Sequence, residues 1–254
     1  MYELTWINSI PLILAGTASG FINTLAGGGS FLTLPALMLL GMPADLANGT
    51  NRVSVLAQSA STVQGFYKEG KFDTKAALWI LAPSALGALA GAWTAALIPA
   101  GYLKPMLLGI MPIVAAVIVI KPQWISPPPD ERTYTVRERP IAFFWFFLTG
   151  IYAGFIQAGV GFLSLMVLGG VLRYDLLRAN ALKIAISGMF GIVPLIVFAL
   201  AGKVLWIPGA VLGAATVVGS RIGVRFALRA PERVLRWFLF AAVICVTVAA
   251  FLKK

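Results

Sequence analysis

Long stretches of the chain carry no charged side chain, and this feature restricts the fold more than any other. The uncharged stretches are 4–44, 76–103, 105–120, 140–172, 184–202 and 204–220. A helix that spans a bilayer needs about 20 apolar residues, and several of these stretches reach that length. In lipid every backbone group needs an internal partner, so only helices or a closed barrel can span. The stretches are continuous rather than alternating in polarity, which predicts helices.

The composition supports lipid as the main solvent and excludes several functions. Charged residues make up 11% of the chain, against about 25% in soluble domains. The net charge is +11, but the basic residues lie mostly between apolar stretches, as the positive-inside rule predicts, so we expect no nucleic-acid partner. The chain has no histidine and one cysteine, Cys245; we therefore expect no metal site and no cofactor. The first apolar stretch is expected to be a retained span.

The chain consists of two related halves. An offset of about 132 residues aligns glycines, prolines and polar residues of the two halves. The aligned residues include Gly29 with Gly161, Gly70 with Gly202, Gly87 with Gly219, and Pro99 with Pro231. We therefore predict a first membrane repeat at 1–121, a polar linker at 122–139 and a second membrane repeat at 140–254.

Each repeat is predicted to contain about five helical segments. The predicted segments are 6–26, 30–41, 50–66, 76–98 and 103–120, followed by 140–156, 160–172, 180–201, 204–228 and 233–252. The second segment of each half is too short to span alone and follows a glycine-rich break. Short segments interrupted by glycine at matching places in two halves indicate a transporter binding site.

The distribution of basic residues predicts that the two repeats are inverted. Lysines are concentrated in the loop after the third segment of the first half, and arginines after the fourth segment of the second half. Repeats of opposite orientation are expected to carry their basic loops at different places in the two halves, because only cytoplasmic loops are enriched in lysine and arginine. The predicted fold is an all-α integral membrane protein with two inverted repeats and short or broken helices at the glycine motifs. Segments 68–75, 121–139 and 221–236 are predicted to be cytoplasmic, with both termini outside.

The glycine breaks are the first candidate site. Gly27, Gly28, Gly29 and Ser30 open the short segment of the first half. Helix amino ends expose free N–H groups and a partial positive charge, which suits an anion, and glycine lets a ligand approach the backbone. Gly159 and Gly161 repeat the break in the second half. The alternative is that these glycines only allow tight helix packing.

Polar residues near the breaks complete the predicted site. At the start of the third segment of each half, an amide residue precedes a cationic residue. A cation at the start of a helix is repelled by the helix dipole, and a bound anion would relieve this repulsion. The alternative for the cations is a side chain that extends to the membrane interface. Amides before the breaks either bind substrate or form interhelical hydrogen bonds. The predicted substrate-binding residues are Asn23, Gly27, Gly28, Gly29, Ser30, Thr50, Asn51, Arg52, Gln157, Gly159, Gly161, Asn180 and Lys183. No carboxylate lies within the apolar segments, so the predicted chemistry suits an anion.

The residues of the first break resemble a known family. The sequences at 20–30, 34–37 and 47–52 resemble the sulfite exporter TauE/SafE family of membrane permeases, as do 68–71 and 179–183. The resemblance covers nearly the whole chain. It implies transport of a sulfur-containing anion, such as sulfite, thiosulfate or an organosulfonate, across the bacterial cytoplasmic membrane.

The leading hypothesis is a secondary transporter that uses alternating access, with the two glycine breaks paired near the membrane midplane. A passive anion channel of the same fold is the alternative, favoured by the missing acidic relay. A membrane-embedded enzyme and a non-transporting scaffold are the remaining classes, and we expect no enzymatic activity. The expected partners are a small anion and the lipid bilayer, while the sequence leaves open the anion, the direction, the coupling ion and assembly into a homo-oligomer.

Overall fold

The protein is an all-α structure. The computed structural model describes residues 6–25, 27–70, 74–99, 101–103, 105–106, 109, 132–231 and 234, and these residues form helices joined by short connections. The helices are α1 (Trp6–Leu25), α2 (Ser30–Leu39), α3 (Ala44–Lys68), α4 (Thr74–Leu97), α5 (Ile141–Phe155), α6 (Val160–Met166), α7 (Leu176–Leu200) and α8 (Trp206–Arg229), with a π-helical turn at Val167–Val171. The predicted fold class is confirmed.

The outer surface of the helices is apolar. Helices α4, α7 and α8 are long and apolar enough to cross a membrane by length and composition. Large apolar side chains point outward at helix ends, and Leu97 and Leu200 are 72% and 83% exposed. Helix α3 has 25 residues, and its buried residues include many polar ones. The helices thus expose apolar residues to lipid and bury polar ones, which is the arrangement that lipid as a solvent requires.

Glycines bring two pairs of helices into close contact. Helix α1 packs along α8, and α5 packs along α4. A side chain at Gly20 would overlap the carbonyl of Thr216, and one at Gly154 would overlap the carbonyl of Ala88. Small residues allow this backbone approach in membranes, where packing rather than hydrophobic burial drives helix association. Each pair joins a helix of one predicted repeat to a helix of the other.

Helices α3 and α7 form the centre and run in opposite directions. Both pack on each other, while α3 also packs on α8 and α7 on α4. Leu56 of α3 adjoins Gly191 of α7, and Ser59 adjoins Gly188, so the order of contacts is reversed between the helices. Helices α3 and α8 run in the same direction, since Gly209 lies at Val53 and Val224 lies at Gly65. Opposed directions for corresponding helices agree with an inverted repeat, which itself stays a prediction.

The predicted helix boundaries are confirmed at the glycine breaks and are wrong at the start of the third segment of each half. Helix α2 has 10 residues, and α6 has seven before its π-helical turn, so the predicted short helices are confirmed. Helices α3 and α7 begin at Ala44 and Leu176, although the sequence predicted starts at 50 and 180. The predicted segments 103–120 and 233–252 lie almost wholly outside the described residues. The division into repeats and linker stays a prediction.

Candidate functional site

The two glycine breaks meet inside the protein. A Cβ atom on Gly27 would lie 2.6 Å from the Cα atom of Gly161, and one on Gly161 would overlap Gly27. Gly27 has φ of +92° and Gly159 has φ of +76°, a left-handed conformation that glycine adopts without strain. The sequence predicted both breaks, and the structure brings them together as one junction between the halves, which we call the glycine junction (Gly27 and Gly161).

Amides and a hydroxyl of the first half lie at the first break, next to this junction. The backbone N–H of Gly29 donates to Oδ1 of Asn23 at 3.4 Å, and Nδ2 of Asn23 donates to Oε1 of Gln58 at 3.1 Å. Nδ2 of Asn51 donates to Oγ of Ser30 at 3.3 Å, which connects α3 to the first residue of α2. Asn23 and Gly29 thus form one hydrogen-bonded pair and Ser30 and Asn51 another, and the chain joins the two pairs at Gly29 and Ser30; their role in binding stays a prediction.

Gln157 lies within the second break and has an unusual backbone conformation. Its φ is +67°, which is uncommon for a residue with a side chain. The side chain is buried, and its Oε1 atom has no hydrogen-bond partner among the described residues. Backbone strain and an unsatisfied buried carbonyl are both costly, and such features concentrate at functional sites. Gln157 is thus a stronger candidate than its match to Asn23 suggested.

Arg52 binds the end of a helix that belongs to the other half. Its Nη1 atom donates to the carbonyl of Ala153 at 2.6 Å and to that of Phe190 at 3.4 Å. Its Nη2 atom donates to the carbonyl of Gly154 at 2.9 Å and to Oδ1 of Asn48 at 3.0 Å. Ala153 and Gly154 lie in the last turn of α5. The side chain is 0% exposed, and its Nε atom has no partner among the described residues.

Lys183 makes the corresponding contact in the opposite direction. Its Nζ atom donates to the carbonyls of Asn23 at 2.9 Å and Thr24 at 3.3 Å, in the last turn of α1. The third donor bonds Oδ1 of Asn180 at 2.8 Å. Lys183 is 0% exposed, and all three ammonium protons have neutral oxygen acceptors. Each half therefore places one buried cation on the carboxyl end of a broken helix of the other half.

These contacts correct the predicted placement of both cations. Arg52 is the ninth residue of α3 and Lys183 the eighth of α7, so neither stands at a helix start as the sequence predicted. The carboxyl end of a helix carries partial negative charge, so each cation faces a favourable dipole rather than an opposing one. The interface alternative is also wrong, because both side chains are fully buried.

Three other predicted residues have mainly structural partners. Oγ1 of Thr50 accepts a hydrogen bond from the backbone of Leu205 at 2.9 Å, just before α8 begins. Gly28 faces the ring of Phe162, which a side chain at this position would meet at 2.8 Å. Asn180 holds Lys183 through Oδ1, while its Nδ2 atom lacks a partner among the described residues. Thr50 therefore lies apart from the polar residues at the junction.

Asn48 was absent from the predicted site, although it completes the arginine contact. Its Oδ1 atom accepts from Arg52, and its Nδ2 atom donates to the carbonyl of Phe155, the last residue of α5, at 2.9 Å. The signal in the sequence was the repeat itself, since Asn48 and Asn180 each precede a cation by about one turn.

Among the described residues no group of three His, Cys, Asp or Glu side chains could hold a metal ion.

The fold and these buried groups define an all-α membrane protein with a polar, positively charged interior. Residues 12–250 match the sequence profile of the family described as Sulfite exporter TauE/SafE. The chain belongs to this family.

Three bacterial relatives align with most of the chain. It is 27% identical over 234 residues to "Probable membrane transporter protein ORF9" of Sinorhizobium sp, covering 89% of this chain and 85% of the relative. It is 26% identical over 225 residues to "Probable membrane transporter protein YfcA" of Escherichia coli (strain K12), with 89% and 82% covered. It is 24% identical over 240 residues to "Probable membrane transporter protein YdhB" of Bacillus subtilis (strain 168), with 91% and 94% covered. Family and relatives support a membrane transporter.

Proposed function

We propose that the chain is a secondary transporter that moves a small sulfur-containing anion across the bacterial cytoplasmic membrane, in which it is a multi-pass protein. Sulfite, thiosulfate and organosulfonates are the proposed substrates. One observation supports an anionic substrate: Arg52 and Lys183 are fully buried, and their hydrogen-bond acceptors among the described residues are all neutral oxygen atoms. Two buried cations without a carboxylate leave positive charge in a medium of low dielectric constant, and an anion would neutralise it.

The proposed binding place is the glycine junction. Ser30 accepts a hydrogen bond from Asn51, so its own hydroxyl proton can donate to an anion. Gln157 is buried beside the break of the second half, and its amide group can donate through nitrogen once the side chain turns. The amino end of α2 adds a favourable dipole. In this proposal the hydroxyl and amides are ligands, while the cations act mainly through their field because their protons are largely engaged.

Alternating access suits the way the halves are joined. The pairs α1 with α8 and α4 with α5 each take one helix from either predicted half. Helices α3 and α7 run in opposite directions and meet at the centre. Rocking of inverted repeats around a central site is a common transport mechanism for such folds. A passive anion channel is the second candidate, favoured because the described polar residues around the junction include no carboxylate to carry a coupling proton.

Ligand stabilisation and counterflow test this proposal. A ligand that binds only the folded protein raises its apparent stability. We expect sulfite, thiosulfate or sulfoacetate to raise the melting temperature of the purified protein in detergent, with chloride at equal ionic strength as the control. In proteoliposomes, the same anion inside should accelerate uptake of the labelled anion. Such trans-stimulation identifies a carrier, whereas its absence alongside fast flux identifies a channel, and absence of both effects contradicts anion transport.

Asn51 offers a site test with a matched control on the same helix. Asn51→Ala removes the amide that holds the Ser30 hydroxyl in place. We expect uptake to fall by about tenfold, because the hydrogen bond from this hydroxyl to the charged ligand is lost. Gln64→Ala changes an exposed amide of α3 and should leave uptake unchanged. Equal uptake by both variants would remove Asn51 and Ser30 from the proposed site.

A further inference from the structure

We propose that Lys183 takes up and releases the proton that couples anion transport to a proton gradient. This inference rests on the proposed anion transport. Its basis is a difference between the halves: the buried cation that holds the end of α5 is an arginine, and the one that holds the end of α1 is a lysine. Arginine stays protonated in proteins, whereas a buried lysine can lose its proton.

The acceptors of Lys183 come from both halves. Two of its three acceptors, the carbonyls of Asn23 and Thr24, belong to α1, and only Asn180 belongs to its own helix. A movement of the halves that withdraws the end of α1 would leave the ammonium with a single acceptor. A buried ammonium without acceptors is strongly destabilised relative to the neutral amine. The number of bonds that Lys183 can make therefore links its protonation to the arrangement of the halves.

The helices around Lys183 carry one other buried cation. The titratable or charged groups on the helices packed against α7 are Asp45, Arg52, Tyr67 and Lys68 of α3, Lys75 of α4 and Tyr152 of α5, while α1, α6 and the π-helical turn carry none. None of these side chains bonds to Lys183. Arg52 is the only buried cation among them, and it donates to the carbonyl of Phe190, also in α7. A second positive charge opposes protonation of Lys183, and a bound anion favours it.

The proton step is a simple acid–base exchange. One N–H bond of the Lys183 ammonium breaks, the electron pair stays on nitrogen, and the proton passes to water on the side to which the site is open. The amine regains a proton from the other side when the anion is bound. Because anion binding and proton binding strengthen each other, both move in the same direction, as a proton–anion symport.

A charge-retaining substitution separates this role from a structural one. Lys183→Arg keeps the cation but cannot release a proton at working pH. The matched control is Lys203→Arg, since Lys203 also bonds a helix-end carbonyl, that of Ala96, at 2.9 Å. Proteoliposomes containing each variant would be tested with whichever of sulfite, thiosulfate or sulfoacetate gives counterflow in wild type. The membrane potential would be clamped at zero with potassium and valinomycin.

We expect wild type and Lys203→Arg to accumulate the anion about tenfold when the outside is one pH unit more acidic, which is the limit for one proton per anion. For Lys183→Arg, whatever counterflow remains should come with no accumulation, because arginine cannot release the proton. Accumulation by Lys183→Arg equal to that of wild type would overturn the inference.

A second measurement needs no variant and decides the matter where Lys183→Arg does not fold. In wild-type vesicles that contain a pH-sensitive dye, anion leaving down its gradient should carry protons out and make the lumen alkaline. Counterflow without this pH change overturns the role of Lys183 and leaves the proposed transport intact. Absence of counterflow with all three anions overturns both.

Discussion

At the scale of residues, the buried cations complete the hydrogen bonding of two interrupted helices. The last carbonyls of any helix lack intrahelical partners, and at a break inside a membrane protein lipid cannot supply them. Arg52 and Asn48 satisfy the end of α5, and Lys183 satisfies the end of α1. The same positive charges create the field that suits an anion. Structural and functional requirements therefore coincide on these side chains.

The substitution Arg52→Ala should consequently make the protein easier to unfold. The substitution leaves carbonyls of Ala153, Gly154 and Phe190 without a donor, and we expect the free energy of unfolding to fall by about 3 kcal/mol. Arg178→Ala is the control, because Arg178 is exposed and its ion pair with Asp175 is 3.5 Å long; a loss below about 1 kcal/mol is expected. Unfolding in mixed detergent micelles measures both, and equal losses would contradict a capping role.

Gln157 should separate stability from transport. Asparagine tolerates the left-handed conformation of this position better than most residues, so Gln157→Asn should fold with a melting temperature close to that of wild type. Its amide is one methylene shorter, and we expect uptake to fall by about tenfold if the amide binds the anion. Thermal unfolding and counterflow of the same preparation check this expectation. Unchanged uptake would mean that Gln157 only supports the backbone turn and does not bind the anion.

At the scale of elements, the contact between the two breaks can be tested with glycines of equal backbone conformation. Gly27 and Gly41 have φ of +92° and +90°, so alanine at either position carries the left-handed penalty of about 1–2 kcal/mol. Only at Gly27 would the new methyl group meet another backbone, that of Gly161, whereas nothing lies within 4 Å at Gly41.

We therefore expect Gly41→Ala to fold and transport with a modest loss of stability. Gly27→Ala should lose about 2 kcal/mol more, because overpacking adds to the backbone penalty, and should lose transport. Unfolding and counterflow of the two variants give the comparison. Similar behaviour of the pair would mean that the breaks do not depend on their mutual contact.

The sequence predicted the elements that are set by local signals and missed those set by distant partners. Glycines and apolar lengths correctly placed the breaks and the short helices α2 and α6. Asn48 is polar, so hydropathy placed the start of the third segment after it, yet Asn48 lies inside α3 and is 0% exposed. Its amide donates to a carbonyl of another element, and Arg52 binds residues about 100 positions away. Such partners are invisible to periodicity, which is why the role of the cations could not be predicted.

At the scale of the whole molecule, the basic residues collect at one end of the helices. Helices α3 and α8 run in the same direction, so Lys68 and Arg229 lie at the same end. The guanidinium of Arg137 lies 4.3 Å from the centre of the Trp79 ring, near the start of α4, which places the described part of the linker at this end too. At the opposite end Lys203 pairs with Asp45 at 3.5 Å. The positive-inside rule predicts that the basic end faces the cytoplasm.

Cysteine labelling tests this orientation in intact cells. In a Cys245→Ser background, Lys68→Cys would place an exposed thiol at the basic end, and Ala201→Cys an exposed thiol at the end where Lys203 pairs with Asp45. We expect a membrane-impermeant maleimide to label Ala201→Cys in intact cells whose outer membrane is permeable to it, and to label Lys68→Cys only after the inner membrane is opened. The physical reason is that moving a cluster of cations across the bilayer during insertion is unfavourable, whereas the opposite end carries a neutralised pair. Labelling of Lys68→Cys in intact cells with protection of Ala201→Cys would reverse the orientation, and labelling of both would show that the two ends are not separated by a bilayer.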